Sequence, residues 1–316
     1  MELLKNRYPL NYNGKGSEYF GIIIINWLLT IITLGLYYPW AKARQLQYLY
    51  SSSFFNDDSF TFHGTGKEMF KGFIKALIIF GAMYAILLIF IAIEMPTIGL
   101  IIFYVLLFAL FPLAIHGSFR YRMSRTTWRG VRFGYRGNRN EFIKSFFKWI
   151  FFTIISIGFY GAWMTINIRK YIIEHIRMGN LRFKYIGNGA DFFILNLIGY
   201  FLTMITLGIY LFWWQKDLFA YFVDNIKIVG DEHDGATFKS DATAGDFFKL
   251  LVGNFLLIIF TLGIGYAWVV TRNLEFAARH IVIEGNIDFD TIQQTEEDYR
   301  DATGEDVGDI LDIDLI

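Results

Sequence analysis

The hydrophobic positions of the chain fall into six long stretches without a charged residue. Each stretch is 18 to 24 residues long, and a helix of about 20 apolar residues is long enough to cross the hydrocarbon core of a bilayer. Core helices of a soluble protein are amphipathic instead. The pattern predicts an α-helical polytopic membrane protein with about six hydrophobic helices, at 19–41, 76–93, 95–115, 149–168, 192–215 and 250–271.

The residues before the first stretch are not expected to form a signal peptide. Lys5, Arg7 and Lys15 precede it. The apolar stretch that follows is too long for the hydrophobic region of a signal peptide, and it has no small-residue cleavage site. We therefore expect the first helix to be retained.

Four of the six stretches contain one short motif in the same register. Its consensus is TLGxYxxW, with Thr or Ser at the first position. An aromatic residue stands fourteen residues before each Thr or Ser, and an acidic residue precedes that aromatic. Columns that recur at a fixed spacing indicate an internal repeat. The Gly and Trp positions of the motif are Gly35 and Trp40, Gly158 and Trp163, Gly208 and Trp213, and Gly263 and Trp268.

The loops before the helices carry a second shared pattern. Two aromatic residues flank one other residue, a Gly-containing turn follows, and an acid comes six residues after the second aromatic, as from Phe60 to Glu68. Such a pattern predicts a short β-strand that ends in a turn. The acid then lies in the first turn of the coming helix, where it caps free N–H groups. The acids concerned are Glu18, Glu68, Glu141, Asp191 and Asp246.

These patterns divide the chain into four repeat units, an inserted helical hairpin and a tail. Each unit is predicted as a strand, a Gly turn, an acid-capped apolar helix, the TLGxYxxW motif and a polar amphipathic segment. The inserted hairpin turns around Glu94 and Pro96 and lacks the motif. The predicted boundaries are 1–66 for unit 1, 67–118 for the inserted hairpin, 119–182 for unit 2, 183–237 for unit 3, 238–290 for unit 4 and 291–316 for the tail.

Three segments of the chain carry a resemblance to a known family. They read TLGLYYPWAKAR at 33–44, SRTTWRGVRFGYRG at 124–137 and GEDVGDILDIDLI at 304–316. With these segments the chain resembles the YjgN family, also called the domain-of-unknown-function 898 family. The resemblance implies a multi-pass protein of the bacterial inner membrane and supplies no catalytic residues. Genes of such proteins often lie beside one for a membrane-linked zinc metallopeptidase, so the resemblance also suggests that partner.

Two arrangements of the helices in the membrane are open. If every stretch crosses once, alternate sides hold 18 and 11 Lys and Arg residues, and the positive-inside rule places both termini outside. If each TLGxYxxW motif is a turn, each unit enters and returns, and all strands and both termini are cytoplasmic. The returning helices would then carry charges such as Arg169, Lys170 and Glu174, which require a wet interior or the interface.

The sequence lacks the patterns of the common catalytic and metal sites. Its five histidines are scattered without an HExxH motif, and it contains no cysteine. The Gly-x-Gly turns complete neither a Rossmann nor a Walker motif. We expect a protein that is not an enzyme and that has no cofactor and no catalytic metal.

Polar residues inside the apolar stretches indicate either a pathway or helix packing. Asn26 and Asn254 each stand seven residues before their Thr, and an Asn in hydrocarbon needs a hydrogen-bond partner. With Arg169 and Arg272 they are candidates for a polar pathway through a bundle built from repeats. A basic cluster is either a site for anionic lipid head groups or an ordinary positive-inside loop; its candidates are Arg120, Arg122, Arg125, Arg129 and Arg132.

The formal net charge of zero conceals two segments of opposite sign. Residues 284–316 hold 12 acids and one base, so a body of +11 is joined to a tail of −11. Acidic and hydrophobic residues alternate in the tail, as they do in docking peptides and in solvated segments. A neutral chain in a bilayer is not expected to bind nucleic acid.

The sequence thus predicts one of two functions. The first is transport or sequestration of a small or lipidic molecule through a helical bundle, in contact with the bilayer and with anionic lipid. The alternative is a non-catalytic membrane scaffold or regulatory subunit, for example of a membrane-linked metallopeptidase.

Overall fold

One order of elements, strand–helix–helix–strand, occurs five times along the chain. The computed structural model describes residues 6–230, 235–287 and 292–295, and within them the chain forms ten strands and ten helices. The elements are, unit by unit, β1 (Asn6–Tyr12), α1 (Gly16–Ile32), α2 (Tyr38–Ser51) and β2 (Ser53–Phe55); β3 (Asp58–Phe62), α3 (Gly66–Ala92), α4 (Pro96–Ser124) and β4 (Thr126–Trp128); β5 (Val131–Tyr135), α5 (Arg139–Ile155), α6 (Gly161–His175) and β6 (Ile176–Met178); β7 (Leu181–Tyr185), α7 (Gly189–Ile205), α8 (Leu211–Asp224) and β8 (Ile226–Val229); and β9 (Gly235–Ser240), α9 (Ala244–Phe260), α10 (Tyr266–His280) and β10 (Ile281–Asn286).

The ten strands form one closed antiparallel barrel, in the order β1-β10-β9-β8-β7-β6-β5-β4-β3-β2. On one side β1 pairs with β2, where Tyr12 lies opposite Ser53. On its other side β1 pairs with β10, where Asn6 lies opposite Gly285. Elements from the two ends of the described chain therefore close the barrel, and closure leaves no unpaired strand edge.

All ten helices leave the barrel at one rim. Each helix pair connects the end of an odd-numbered strand to the start of the next even-numbered strand, and these two strands are antiparallel neighbours. Each helix packs against the next one along the chain, and α10 packs against α1. The helices therefore form a closed ring above the barrel, and the turns between units lie at the opposite rim.

This architecture shows that the expected bundle of six membrane helices, with short strands in its loops, was wrong. Among the described helices, α3 and α4 are the two that are long and apolar enough to cross a bilayer. The stretches 19–41, 149–168, 192–215 and 250–271 are not single helices, because the TLGxYxxW motif turns the chain inside each of them. The strands are not isolated loop elements, because together they build the barrel.

The turn within the motif depends on a hydroxyl and a glycine. In the first unit Leu34 and Gly35 have φ values of 50° and 92°, and a Gly adopts such a conformation readily because it has no Cβ. The Thr33 hydroxyl donates to the Leu29 carbonyl at 2.7 Å and accepts from the Tyr37 N–H at 3.0 Å. It thus ties the end of one helix to the start of the next. The equivalent hydrogen bonds are formed by Thr206 and Thr261.

The Trp of the motif packs on the first residue of the following helix pair. At three such positions an added Cβ would overlap the indole ring, so the ring lies directly on a glycine backbone. The pairs are Trp40 with Gly66, Trp163 with Gly189, and Trp268 with Gly16. The last pair joins α10 to α1 and therefore closes the helix ring. In the unit from β7 to β8, Trp213 stacks on Tyr210 with ring centroids 6.1 Å apart.

The five acids expected at helix starts lie in the first turn of α1, α3, α5, α7 and α9, as predicted. Glu68 and Asp246 form capping boxes with Thr65 and Thr243. Each box satisfies two N–H groups that have no partner within the helix. The first-turn placement of the acids is confirmed.

The interior of the barrel is filled with apolar side chains. Its core includes Phe55, Trp128, Met178, Ile228 and Ile283. The Trp128 indole N–H donates to the carbonyl of Phe55 at 3.1 Å, so the largest side chain of this core has its polar atom satisfied. The barrel is a packed core, like other small barrels.

A short C-terminal segment covers the rim that lies away from the helices. Ile292 packs against the barrel core. The Thr295 hydroxyl donates to the Gly179 carbonyl at 2.7 Å, and the Arg132 N–H donates to Gln294 Oε1 at 2.8 Å. Residues 291 and 296–316 of the expected acidic tail lie outside the described residues, so the docking role of the tail stays a prediction.

The Trp268–Gly16 contact predicts opposite effects for two alanine substitutions on α1. Gly16→Ala places a Cβ inside the Trp268 ring, and we expect it to lower the free energy of unfolding by about 1–3 kcal/mol. Gly21→Ala places its Cβ in open space, and we expect it to raise that free energy by up to about 1 kcal/mol through helix propensity. Thermal unfolding in detergent, followed by circular dichroism, measures both. Equal effects would show that the seam between α10 and α1 does not depend on this contact.

The hydroxyl in the motif predicts a second contrast, on α7. Thr206→Val leaves the Tyr210 N–H without its acceptor, and we expect a loss of about 1–3 kcal/mol. Thr203→Val removes a buried hydroxyl that has no hydrogen-bond partner among the described residues, so we expect no loss or a small gain. The same unfolding measurement compares the two variants. A neutral Thr206→Val would contradict the role given to the hydroxyl.

Candidate functional site

A cavity lies between the barrel and the helix ring. Its volume is about 640 Å³, within the range of about 300–1,000 Å³ typical of ligand pockets. Strand residues line its lower part, and residues of α1, α2, α4 and α10 line its upper part. The closed barrel creates this space, because it holds the barrel-side ends of these helices apart in a ring.

Beside the barrel-core residues Phe55, Met178, Ile228 and Ile283 of the even-numbered strands, one residue from each odd-numbered strand forms the floor of the cavity. Each occupies the first position of the aromatic-x-aromatic pattern and packs on the barrel core. The rings of Phe60 and Phe133 are 6.1 Å apart. Because all of these residues pack against the barrel core, they point inward. The floor residues are Leu10, Phe60, Phe133, Phe183 and Phe238.

The second position of the same pattern has a different role. Here the aromatic ring lies against the glycine two residues later, where an added Cβ would overlap it. These pairs are Tyr12 with Gly14, Phe62 with Gly64, Tyr135 with Gly137 and Tyr185 with Gly187. Burial raises the pKa of the three tyrosines well above its usual range, so their hydroxyls stay neutral. The second aromatics therefore fix the turns that lead into the helices.

The walls of the cavity combine apolar residues with two positive charges. Leu46 of α2 and Val270 and Leu274 of α10 supply apolar surface. Lys42 of α2 is buried, and Arg122 of α4 is half-buried at the same cavity. The described residues that line the cavity include no Asp or Glu. The cavity therefore offers an apolar floor and a wall of positive potential, which favours an anion.

The two asparagines proposed for a pathway lie in contacts between helices. Asn26 Nδ2 donates to the Ala41 carbonyl of α2 at 3.2 Å. Asn254 Nδ2 donates to Asn273 Oδ1 of α10 at 2.8 Å. Each contact joins the two helices of one pair. This is helix packing, the alternative to a polar pathway at these two positions. Neither residue lines the cavity.

The two arginines grouped with them also pack between helices. The Arg169 guanidinium carbon lies 4.1 Å from the ring centroid of Phe222 and 5.8 Å from that of Tyr185. Arg272 lies beside Gly253 of α9, where an added Cβ would be 2.7 Å from Nη2. The structure does not bring these four residues together, and their role in a pathway stays a prediction.

The arginine cluster of the sequence is divided among three places. Arg122 lines the cavity. Arg125 forms an ion pair with Glu68, with 3.2 Å between Nε and Oε2. Arg129 pairs with Asp58 at the opposite rim. The cluster is completed by Arg120 on α4 and Arg132 on β5. Of the five arginines, Arg122 is the one at the cavity, and the head-group role of the others stays a prediction.

The cavity residues were not predicted, although the sequence carries a signal for them. The first position of the aromatic pattern recurs in all five odd-numbered strands, and every one of these positions faces the cavity. It was interpreted as a strand signal alone. Lys42 had no such signal, because a Lys that follows a Trp is typical of a residue at the membrane interface.

The comparisons with known proteins agree on one family. The chain matches DUF898, described as a bacterial protein of unknown function, over residues 7–186 and 230–310. The inner membrane protein YjgN of Salmonella typhimurium is 34% identical over 131 residues, which are 42% of this chain and 32% of that protein. The protein of the same name from Escherichia coli O157:H7 is 36% identical over 124 residues, which are 39% of this chain and 30% of the relative. The chain thus spans about a third of the length of the curated relatives it matches, and no solved structure matches it significantly.

Proposed function

Because the chain belongs to the DUF898 family of bacterial proteins of unknown function and is a protein of the inner membrane, we propose that it binds an anionic amphipathic molecule. The ligand class is a lipid, or a lipid-like molecule, with an acidic head group. The cavity between the barrel and the helix ring is the binding site. The protein holds this ligand without converting it.

The composition of the cavity carries the proposal. Four phenylalanines and one leucine form its floor, which suits an acyl chain. Lys42 and Arg122 stand on its walls and suit a phosphate or carboxylate, since charge-assisted hydrogen bonds to these groups are strong. A soluble metabolite would leave most of the aromatic floor without a partner.

The packed interior of the barrel supports sequestration rather than passage. A molecule that moved along the barrel axis would have to displace Trp128 and its neighbours and then the segment that contains Ile292. Moving large buried side chains out of a packed core has a large cost in free energy. We therefore favour a site that is loaded and unloaded from the helix side.

The arrangement in the membrane belongs to the same proposal. Helices α3 and α4 form the pair that crosses the bilayer, so the protein is multi-pass. The five strand–helix–helix–strand units are copies of one internal repeat, as the recurring motif and the recurring element order suggest. The barrel side, which carries most Lys and Arg residues, is cytoplasmic.

Binding of phosphatidylglycerol to the detergent-purified protein tests the proposal. We expect native mass spectrometry to show phosphatidylglycerol retained in preference to phosphatidylcholine of the same acyl chains. Lys42→Gln combined with Arg122→Gln should weaken binding about tenfold or more, because two charge-assisted contacts are lost. Lys184→Gln changes an exposed lysine on the barrel exterior and should leave binding unchanged.

A second pair of variants tests the position of the acyl chain. Val270→Phe fills part of the cavity and should reduce retention of phosphatidylglycerol, whereas Val269→Phe changes a neighbour that is not part of the cavity lining. Equal retention of both lipids, or retention that survives Val270→Phe, would indicate lipid bound on the outer surface and would contradict the proposal.

A further inference from the structure

The five helix pairs differ in reach, although all of them start from the same rim. The first helices of four pairs, α1, α5, α7 and α9, have 17 residues each, whereas α3 has 27. At 1.5 Å per residue the four shorter helices are about 25 Å long, and α3 is about 15 Å longer. The hydrocarbon core of a bilayer is about 30 Å thick. The turn between α3 and α4 therefore lies well beyond the other four turns.

The chemistry of the turns follows this difference in reach. The turn between α3 and α4 carries an exposed carboxylate, Glu94, which belongs in water. The four shorter turns carry no charged residue. Each of them instead presents one aliphatic side chain that is 89% to 94% exposed: Leu34, Ile157, Leu207 and Leu262. Such an exposed aliphatic side chain at the tip of a projecting hairpin is more stable in an apolar environment than in water.

The backbone of the four shorter turns is also suited to hydrocarbon. A lipid-exposed turn is normally excluded from the membrane core, because its N–H groups have no water to bind. Here six consecutive N–H groups in each turn have an acceptor within the hairpin, one of them being the Thr or Ser hydroxyl. The segments concerned are 33–38, 156–161, 206–211 and 261–266.

We propose that these four turns end inside the hydrocarbon core of the bilayer, while the α3–α4 pair alone among the described pairs crosses to the far side. The four short pairs enter from the barrel side and return to it. If Glu94 lies at the far interface, the four shorter turns lie about 15 Å below it, near the bilayer midplane. The surface that they form is a binding surface for acyl chains, and its partner is the membrane interior.

The absence of cysteine from the sequence allows a direct test with single-cysteine variants. Leu34→Cys and Leu207→Cys report on two short turns, Met95→Cys on the turn between α3 and α4, and Lys184→Cys on the barrel. A membrane-impermeant maleimide is applied to spheroplasts and to inverted membrane vesicles of cells that contain each variant. We expect Met95→Cys and Lys184→Cys to be labelled from opposite sides. We expect labelling of both leucine variants to be about tenfold lower from either side, because a thiol in hydrocarbon does not ionise.

A spin label at the same positions supplies an independent readout in reconstituted vesicles. At Leu34→Cys and Leu207→Cys we expect relaxation enhancement by oxygen, which dissolves in hydrocarbon, to exceed that by a water-soluble nickel chelate. At Met95→Cys and Lys184→Cys we expect the reverse. Maleimide labelling of the leucine variants from the Met95 side would show that the short pairs cross, and labelling from the Lys184 side would show that they lie outside the membrane. Either result overturns the proposal, and neither result bears on whether the cavity binds lipid.

Discussion

The antiparallel pairing of β1 with β10 is the interaction on which the rest of the structure depends. It converts a linear series of five units, whose antiparallel strand order already places every helix pair at the same edge of the sheet, into a closed barrel. The closed helix ring and the cavity above the Phe floor both depend on this closure. Without it the outer units would splay, and α10 would lose its contact with Gly16.

Closure also explains why a few residue types recur at fixed positions. The first position of the aromatic-x-aromatic pattern points into the barrel and forms the cavity floor. The aromatic ring at the second position packs on a glycine and so fixes the turn that leads into the helix. At the far end of the four shorter hairpins a hydroxyl and a glycine turn the chain, and in three of them a Trp then packs on the first glycine of the next hairpin. The α3–α4 hairpin lacks this motif and has longer helices.

Local features of this fold could be predicted from the sequence, whereas its closure could not. The acids at helix starts and the short strands follow from spacing within about ten residues, such as Phe60 to Glu68, and the structure contains both. The pairing of Asn6 with Gly285 leaves no local trace, because strands of three to seven residues carry too little alternation to identify a partner. Each uncharged stretch with the TLGxYxxW motif was interpreted as one helix, although it contains parts of two. The turn between them is itself apolar and therefore does not interrupt the stretch. The arginines are close in sequence but not in space, because strand β4 runs from the end of α4, near Arg122, to the opposite rim, near Arg129 and Arg132.

The order in which a ribosome makes this chain adds a constraint of its own. Strand β1 is synthesised before the other nine described strands, and its outer partner β10 is the last of them, about 270 residues later. At roughly 5–20 residues per second, β1 waits about 15 to 60 s before that partner emerges. During this time the outer edge of β1 is unpaired, and Gly16 of α1 has not yet met Trp268. Until β10 is made, the nascent chain is therefore an open arc with unpaired strand edges at both ends, and early contact between two such arcs would join separate chains instead of closing one ring.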